Sequence, residues 1–188
     1  VHKAEEINFK DKIVTHRDLP TAAVREAFAA AWEEGLRNPE GDVTFNAGDT
    51  RDSLQASGLA LTTLAATDLN PTIQPLAVEQ FLKTPHLAGT IDLIDDKRQI
   101  RDLKTAKRRW PDAKAAYELQ PPLYTLLLAS TPTPATGFIF DVLVDGRTPD
   151  VQRIEATPTA ERIALALARV QTAREGIEAG RFPAHAGS

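Results

Sequence analysis

Cysteine is absent from all 188 residues, and so is methionine. Without cysteine, the chain can hold neither a disulfide nor an iron–sulfur cluster. With Val rather than Met at position 1, the chain reads as one whose native start lies upstream. No apolar run is long enough to span a bilayer, and the first residues lack the pattern of a signal peptide. A membrane partner is therefore not expected, and a cytoplasmic setting is the default. Excess positive charge is also missing. Lys and Arg number 22 against 26 Asp and Glu, a net charge of −4, so no global field attracts a polyanion. No internal repeat or low-complexity segment is present.

What the chain does have is enough apolar content for a core: 42% of its residues are hydrophobic, and the length suits one domain. Residues 1–14 read as a helix with Ala4, Ile7 and Ile13 inward. Pro20 suits an early helical position, and Val24, Phe28, Ala31 and Trp32 form the stripe of a second helix over 19–36. Breakers at 38–41 end it, and 42–47 reads as a short extended piece. Asp49 or Thr50 opens a third helix with Leu54, Ser57, Gly58, Leu61 and Leu64 at helical spacing, ended by Asn70-Pro71.

The pattern then changes. Residues 72–82 read as a strand, and 88–106 as a hairpin. Residues 110–117 are partly helical. Pro121 and Pro122 suit the first turn of a helix that begins near Gln120 and runs to 128 or 129. Strands follow at 136–144 and 151–156. A last helix runs from about 158 to 180 with Ile163, Leu167, Val170 and Ile177 inward, and the tail 182–188 reads as irregular. Helices, three strands, a helix, two strands and a helix make an α/β fold: a mixed central sheet flanked by helices. Residues 1–70 form a mostly helical part and 71–188 an α/β core.

The stretch of greatest chemical interest is GTIDLIDDKRQIRDLK, residues 89–104. Side chains alternate along a strand, so Asp102 and Lys104 share a face and Arg101 and Leu103 point away. If Asp96-Lys97-Arg98 is a three-residue loop, Asp92 falls opposite Asp102, Ile94 faces Ile100, and Ile91 faces Leu103. A one-residue slip would separate the carboxylates, so the apolar pairings favour the register that joins them. Two carboxylates that close repel each other unless a cation or a raised pKa relieves them. Basic residues crowd the same region: Lys97, Arg98, Arg101, Lys104, Lys107, Arg108 and Arg109. The plainer alternative is a charge ladder on an edge strand, where charges discourage aggregation.

GxID followed ten residues later by DxK resembles motifs II and III of the PD-(D/E)XK nuclease superfamily. QPPLY, with Gln120 and Tyr124, resembles the QxxxY motif of its RecB-like exonuclease branch. VHKAEE resembles the end of that branch's first motif, with His2 as the metal-ligand histidine. VEQF, with Glu79, resembles the glutamate-bearing strand before GxID, and GRFPAHAG resembles the stretch after the last helix. Four elements in order are more specific than any one of them.

The resemblance implies a restriction-endonuclease-like core over 1–188 and a metal-dependent nuclease acting on DNA, with an exonuclease role in recombination, repair or phage replication. A helicase or recombination protein is the implied partner. Asp92, Asp102 and the Leu103 carbonyl would supply oxygen to Mg²⁺, and a His2 imidazole would tilt the preference towards Mn²⁺. Lys104 would orient water or stabilise developing charge. Glu79 would be an outer ligand or position water. Gln120 and Tyr124, four apart on one helix face, would contact nucleic acid or hold Lys104. Lys107, Arg108 and Arg109 would meet phosphates, and Trp110 or Tyr117 would stack on a base. His16, His86 and His185 have no partner pattern, and Asp141 and Asp145 belong to a strand and its turn. A catalytically inactive DNA-binding scaffold is the first alternative, and the complete Asp92, Asp102 and Lys104 set argues against it. A structure- or site-specific endonuclease is the second, and no dedicated recognition element supports it.

Overall fold

Three helices come first: α1 (His2–Thr15), α2 (Thr21–Arg37) and α3 (Arg51–Leu64). These belong to a computed structural model that describes residues 1–39 and 43–181. Residues 40–41 of the expected breaker 38–41, the start of the expected extended piece 42–47, and the tail 182–188 with His185 and most of GRFPAHAG lie outside the described residues. Within the described part of that piece, 43–46 join no strand. Among the described residues, no helix is long and apolar enough to cross a membrane.

Among the described residues the strands are β1 (Pro75–Lys83), β2 (Ala88–Asp95), β3 (Gln99–Ala106), β4 (Gly137–Val144) and β5 (Asp150–Glu155). They form one sheet in the order β1-β2-β3-β4-β5. Every neighbouring pair is antiparallel except β3 with β4, which is parallel. A parallel pair needs a crossover, and α4 (Asp112–Tyr117) and α5 (Gln120–Ala129) provide it. A last helix, α6 (Ala160–Glu178), follows β5. The result is the mixed sheet flanked by helices that the element order predicts.

Local chemistry sets most boundaries. Thr50 and Ser53 form a reciprocal capping box at the start of α3. Thr159 caps α6. Pro121 and Pro122 lie in the first turn of α5, where a missing N–H costs nothing. The hairpin loop is 96–98. The Asp95 Oδ1 accepts from the Lys97 and Gln99 N–H groups at 3.0 and 2.8 Å, and Arg98 takes a left-handed φ of 61°.

Two apolar layers cover the sheet. Ile91, Ile94, Ile100, Phe138, Phe140 and Val142 pack on the α5 side with Leu128. Phe9, Leu61, Leu69, Ile73, Leu93 and Leu143 pack on the side of α1 and α3. A third cluster, Ala4, Val24 and Phe28, joins α1 to α2.

Several expectations need correction. α1 does not turn Ile7 inward. Its buried positions are Ala4, Glu5, Asn8, Phe9 and Lys12, and Ile7 is exposed. The polar members are held by a network: the Lys12 ammonium donates to the Asp18 carboxylate and the Asn70 carbonyl, both at 2.7 Å, and Asn8 bridges Asp18 and the Leu19 N–H. In α6, Ala166 is the buried residue while Leu167 and Ile177 are exposed, because a small side chain makes the closest approach. The helix before Asn70 continues as a π turn, Ala65–Leu69, and a 3₁₀ turn, Asn70–Thr72, so the first strand begins at Pro75 rather than 72.

Candidate metal and nuclease site

The expected register holds where β2 and β3 pair: Ile94 opposes Ile100 and Leu93 opposes Arg101. The ladder stops there, short of Asp92, and the strands part. The Leu103 N–H donates at 3.4 Å to the Asp92 Oδ2. On the other flank, the β1–β2 register steps over the Glu79–Asp92 position, and Glu79 takes a left-handed φ of 51°. A left-handed residue inside a strand breaks the alternation of faces. Ile91 packs on the α5 side and Leu103 on the other, so they do not face each other as expected. Backbone strain of this kind costs roughly 1–3 kcal/mol and clusters at functional sites.

Into the gap between strands comes the first turn of α1. The His2 Nε2 lies 2.9 Å from the Leu103 carbonyl and 3.4 Å from the Asp92 Oδ2. One donor atom from each of His2, Glu79 and Asp92 lies within 4.8 Å of the other two. A cleft of ≈ 30 Å³ opens behind them, lined among others by Glu5, Arg101 and Asp141. That is room for a water or an ion, not for a substrate.

Asp102 leans the other way, towards α5. The Gln120 amide donates to its Oδ1 at 2.9 Å. The Lys104 ammonium pairs with its buried Oδ2 at 2.6 Å. Tyr124, one turn after Gln120, packs against Phe138 and the backbone of Gly89. A Cβ at Gly89 would lie 3.2 Å from Leu127 and 3.3 Å from Tyr124, which is why glycine suits the start of GTID.

Burial raises the Asp92 pKa to about 6. The charges of Asp102 and Glu79 add to the rise, while His2 and the Leu103 N–H oppose it. Burial also pushes the Asp102 carboxyl up, against the pull of Lys104. Concentrated carboxylates with raised pKa values are poised to exchange protons for a cation.

The other sequence candidates are placed as follows. Lys107 and Arg109 are exposed and paired with Asp49 and Asp150. Such surface pairs are weak enough to yield to a phosphate. Arg108 is exposed. Trp110 is less available, because its ring packs on Phe140 at 5.2 Å with the Lys114 ammonium 4.3 Å from its centroid.

Two features escaped sequence reasoning. Arg101 is 5% exposed, and its guanidinium grips Asp141 with two hydrogen bonds of 2.8 and 2.7 Å. Their adjacent, parallel strands carried the signal, since Arg101 and Asp141 both lie on the face away from Asp102. Glu5 is 2% exposed, and among the described residues neither of its carboxylate oxygens has a hydrogen-bond partner. Its place three residues after His2 on α1 was the only clue.

The donor set fits a divalent cation: an imidazole, two carboxylates and a backbone carbonyl converge. Binding would replace the His2–Leu103 hydrogen bond, since the Nε2 must lose its proton to act as a ligand.

The family model of the PD-(D/E)XK nuclease superfamily matches residues 1–188. Among solved structures, a candidate exonuclease from Eubacterium rectale is similar, with a TM-score of 0.57 and 13% identity over 89% of this chain and 71% of that one. At that identity the likeness is one of fold. No curated protein sequence matches the chain.

Proposed function

Because the chain belongs to the PD-(D/E)XK nuclease superfamily, we propose that it is a metal-dependent deoxyribonuclease, an exonuclease of the RecB-like type serving recombination, repair or phage replication. The observation that carries this reading is the convergence of His2, Glu79, Asp92 and the Leu103 carbonyl beside the Asp102–Lys104 pair.

His2, Asp92, Glu79 and the Leu103 carbonyl would hold Mg²⁺ or Mn²⁺, with Asp102 as the adjoining carboxylate. An imidazole nitrogen in the set favours Mn²⁺ and the oxygens suit either ion. Such an ion, when bound, lowers the pKa of water and neutralises phosphate charge. Lys104 places a fixed positive charge beside the reacting phosphate, where negative charge grows in the transition state. Gln120 holds Asp102 in one orientation through its amide. Lys107 and Arg108, just beyond β3, are within the chain's reach of flanking phosphates. A helicase or recombination protein is the kind of partner that would feed such an enzyme.

The test is incubation with linear and covalently closed DNA in Mg²⁺ or Mn²⁺, followed by EDTA. Loss of linear DNA alone, stopped by EDTA, is expected. Discrete fragments from closed circles would replace the exonuclease with an endonuclease. DNA binding with no cleavage in either metal would replace it with a binding module. Asp102→Ala and Lys104→Ala should each lose cleavage while keeping the native circular dichroism spectrum.

A further inference from the structure

Tyr117 is the last residue of α4 and is 76% exposed. Leu119, two residues on, is 41% exposed. A solvated aromatic on a loose connection would mean little, but this connection is fixed. The Arg162 guanidinium donates to the carbonyls of Ala115 and Glu118 at 3.4 and 3.2 Å. Lys114 bonds Glu118 at 2.9 Å, and Ala115 is buried in the core. At its far end the connection becomes α5, whose first residue, Gln120, holds Asp102. Tyr117 thus projects from a backbone anchored on both sides, three residues from a side chain that touches the candidate site.

A flat ring left uncovered on an anchored backbone, three residues along the chain from the Gln120 that holds Asp102, suits one ligand above others, an unpaired nucleobase. Base stacking needs no sequence readout, and a tyrosine ring has only two side-chain torsions to order on contact. A base within a duplex presents only its edges, so the ring would favour a strand whose bases are free. Trp110, the nearby alternative, already has its ring against Phe140 and Lys114.

Resting on the nuclease reading for its orientation, we propose that Tyr117 is a stacking platform for an unpaired base of single-stranded DNA whose neighbouring phosphate lies at the Asp92–Asp102 site. Leu119 flanks the same base. Tyr117 is a binding residue here and takes no part in bond making.

The experiment is fluorescence anisotropy of a labelled short oligodeoxythymidylate in Ca²⁺ buffer, with the full chain and its Tyr117→Ala and Tyr117→Phe variants. The alanine variant should bind roughly 5- to 150-fold more weakly, the range expected for one lost stack. The phenylalanine variant should keep the wild-type affinity. On an abasic oligonucleotide of equal length, wild type and alanine variant should bind alike, and the two variants should keep the wild-type thermal midpoint. Unchanged binding by the alanine variant, a loss that persists on the abasic strand, or no single-strand binding by wild type would each overturn the proposal. Cleavage assays in Mg²⁺ and Mn²⁺ run separately. Cleavage without a Tyr117 effect sinks the platform and leaves the nuclease. A Tyr117 effect without cleavage does the reverse.

Discussion

The His2 imidazole meets the Leu103 carbonyl at 2.9 Å across 101 residues of sequence. This contact ties the first turn of α1 to the middle of β3, at the point where β2 and β3 part. It pairs two atoms that a cation would take for itself. Replacing His2 by Ala should therefore raise the Mn²⁺ concentration for half-maximal cleavage at least about tenfold, a loss of about 1.4 kcal/mol. His2 is half-exposed, so the thermal midpoint should barely move. Overlapping Mn²⁺ activation curves for wild type and variant would remove His2 from the ligand set.

Arg101 and Asp141 form a buried pair that locks β3 to β4 behind the site. Taking away one partner leaves a charge stranded, which typically costs 3–5 kcal/mol. Asp141→Leu should lower stability by about that much, tempered by the Asp95 contact that Arg101 retains at 3.4 Å. The double variant Arg101→Met, Asp141→Leu should recover much of the loss. Urea midpoints for the two singles and the double give the coupling, and additive losses would deny it.

The contrast between Arg101 and Asp102 shows how far the sequence could be read. The hairpin was legible because its information is local: Asp95 caps its own turn, Arg98 accepts a left-handed φ, and Ile94 meets Ile100 in one register only. Gln120 with its two prolines announced α5 for the same reason. What escaped depends on partners far along the chain. Arg101 reads as a surface cation until Asp141 appears beside it. Nothing beside Asn8 and Lys12 in the chain marks them for burial, which comes from Asp18 and Asn70 closing over them. The α6 face was misread because apolar periodicity favours Leu167 and Ile177, whereas packing selected Ala166. The left-handed Glu79 had no local signal, since glutamate rarely adopts that conformation.

Gly58 and Gly35 make opposite predictions. A Cβ at Gly58 would lie 2.2 Å from the Phe28 ring, whereas at Gly35 it would meet nothing within 4 Å. Gly58→Ala should destabilise by about 1–3 kcal/mol through overpacking. Gly35→Ala, in the exposed part of α2, should stabilise by roughly 0.5–1 kcal/mol through helix propensity. Denaturant midpoints for both test the α2–α3 packing, and equal effects would contradict it.

Glu5 makes stability depend on pH. Burial raises its pKa from 4.5 to about 7, and the nearby Asn70 amide tempers the rise without satisfying either oxygen. Below pH 4.5 the folded and unfolded chains both hold the proton, so burial of this group adds no pH-dependent cost. As pH rises through this window the unfolded chain loses the proton first, so stability falls, and the fall is complete above about 7. The penalty at pH 8 is on the order of 3 kcal/mol. Glu5→Gln should therefore raise stability at pH 8 by up to that amount and leave it nearly unchanged at pH 4.5. A gain of equal size at both pH values would show that Glu5 does not titrate in this window.

The site itself is tested most directly by anomalous scattering from crystals soaked in Mn²⁺ at neutral pH. A manganese peak is expected, coordinated by the His2 Nε2, Asp92 and the Leu103 carbonyl, with Glu79 alongside and Asp102 on the α5 side. The same density should be missing in Asp92→Ala crystals. No peak among these residues at a manganese concentration that supports cleavage, or a peak elsewhere that survives in the variant, would contradict that assignment.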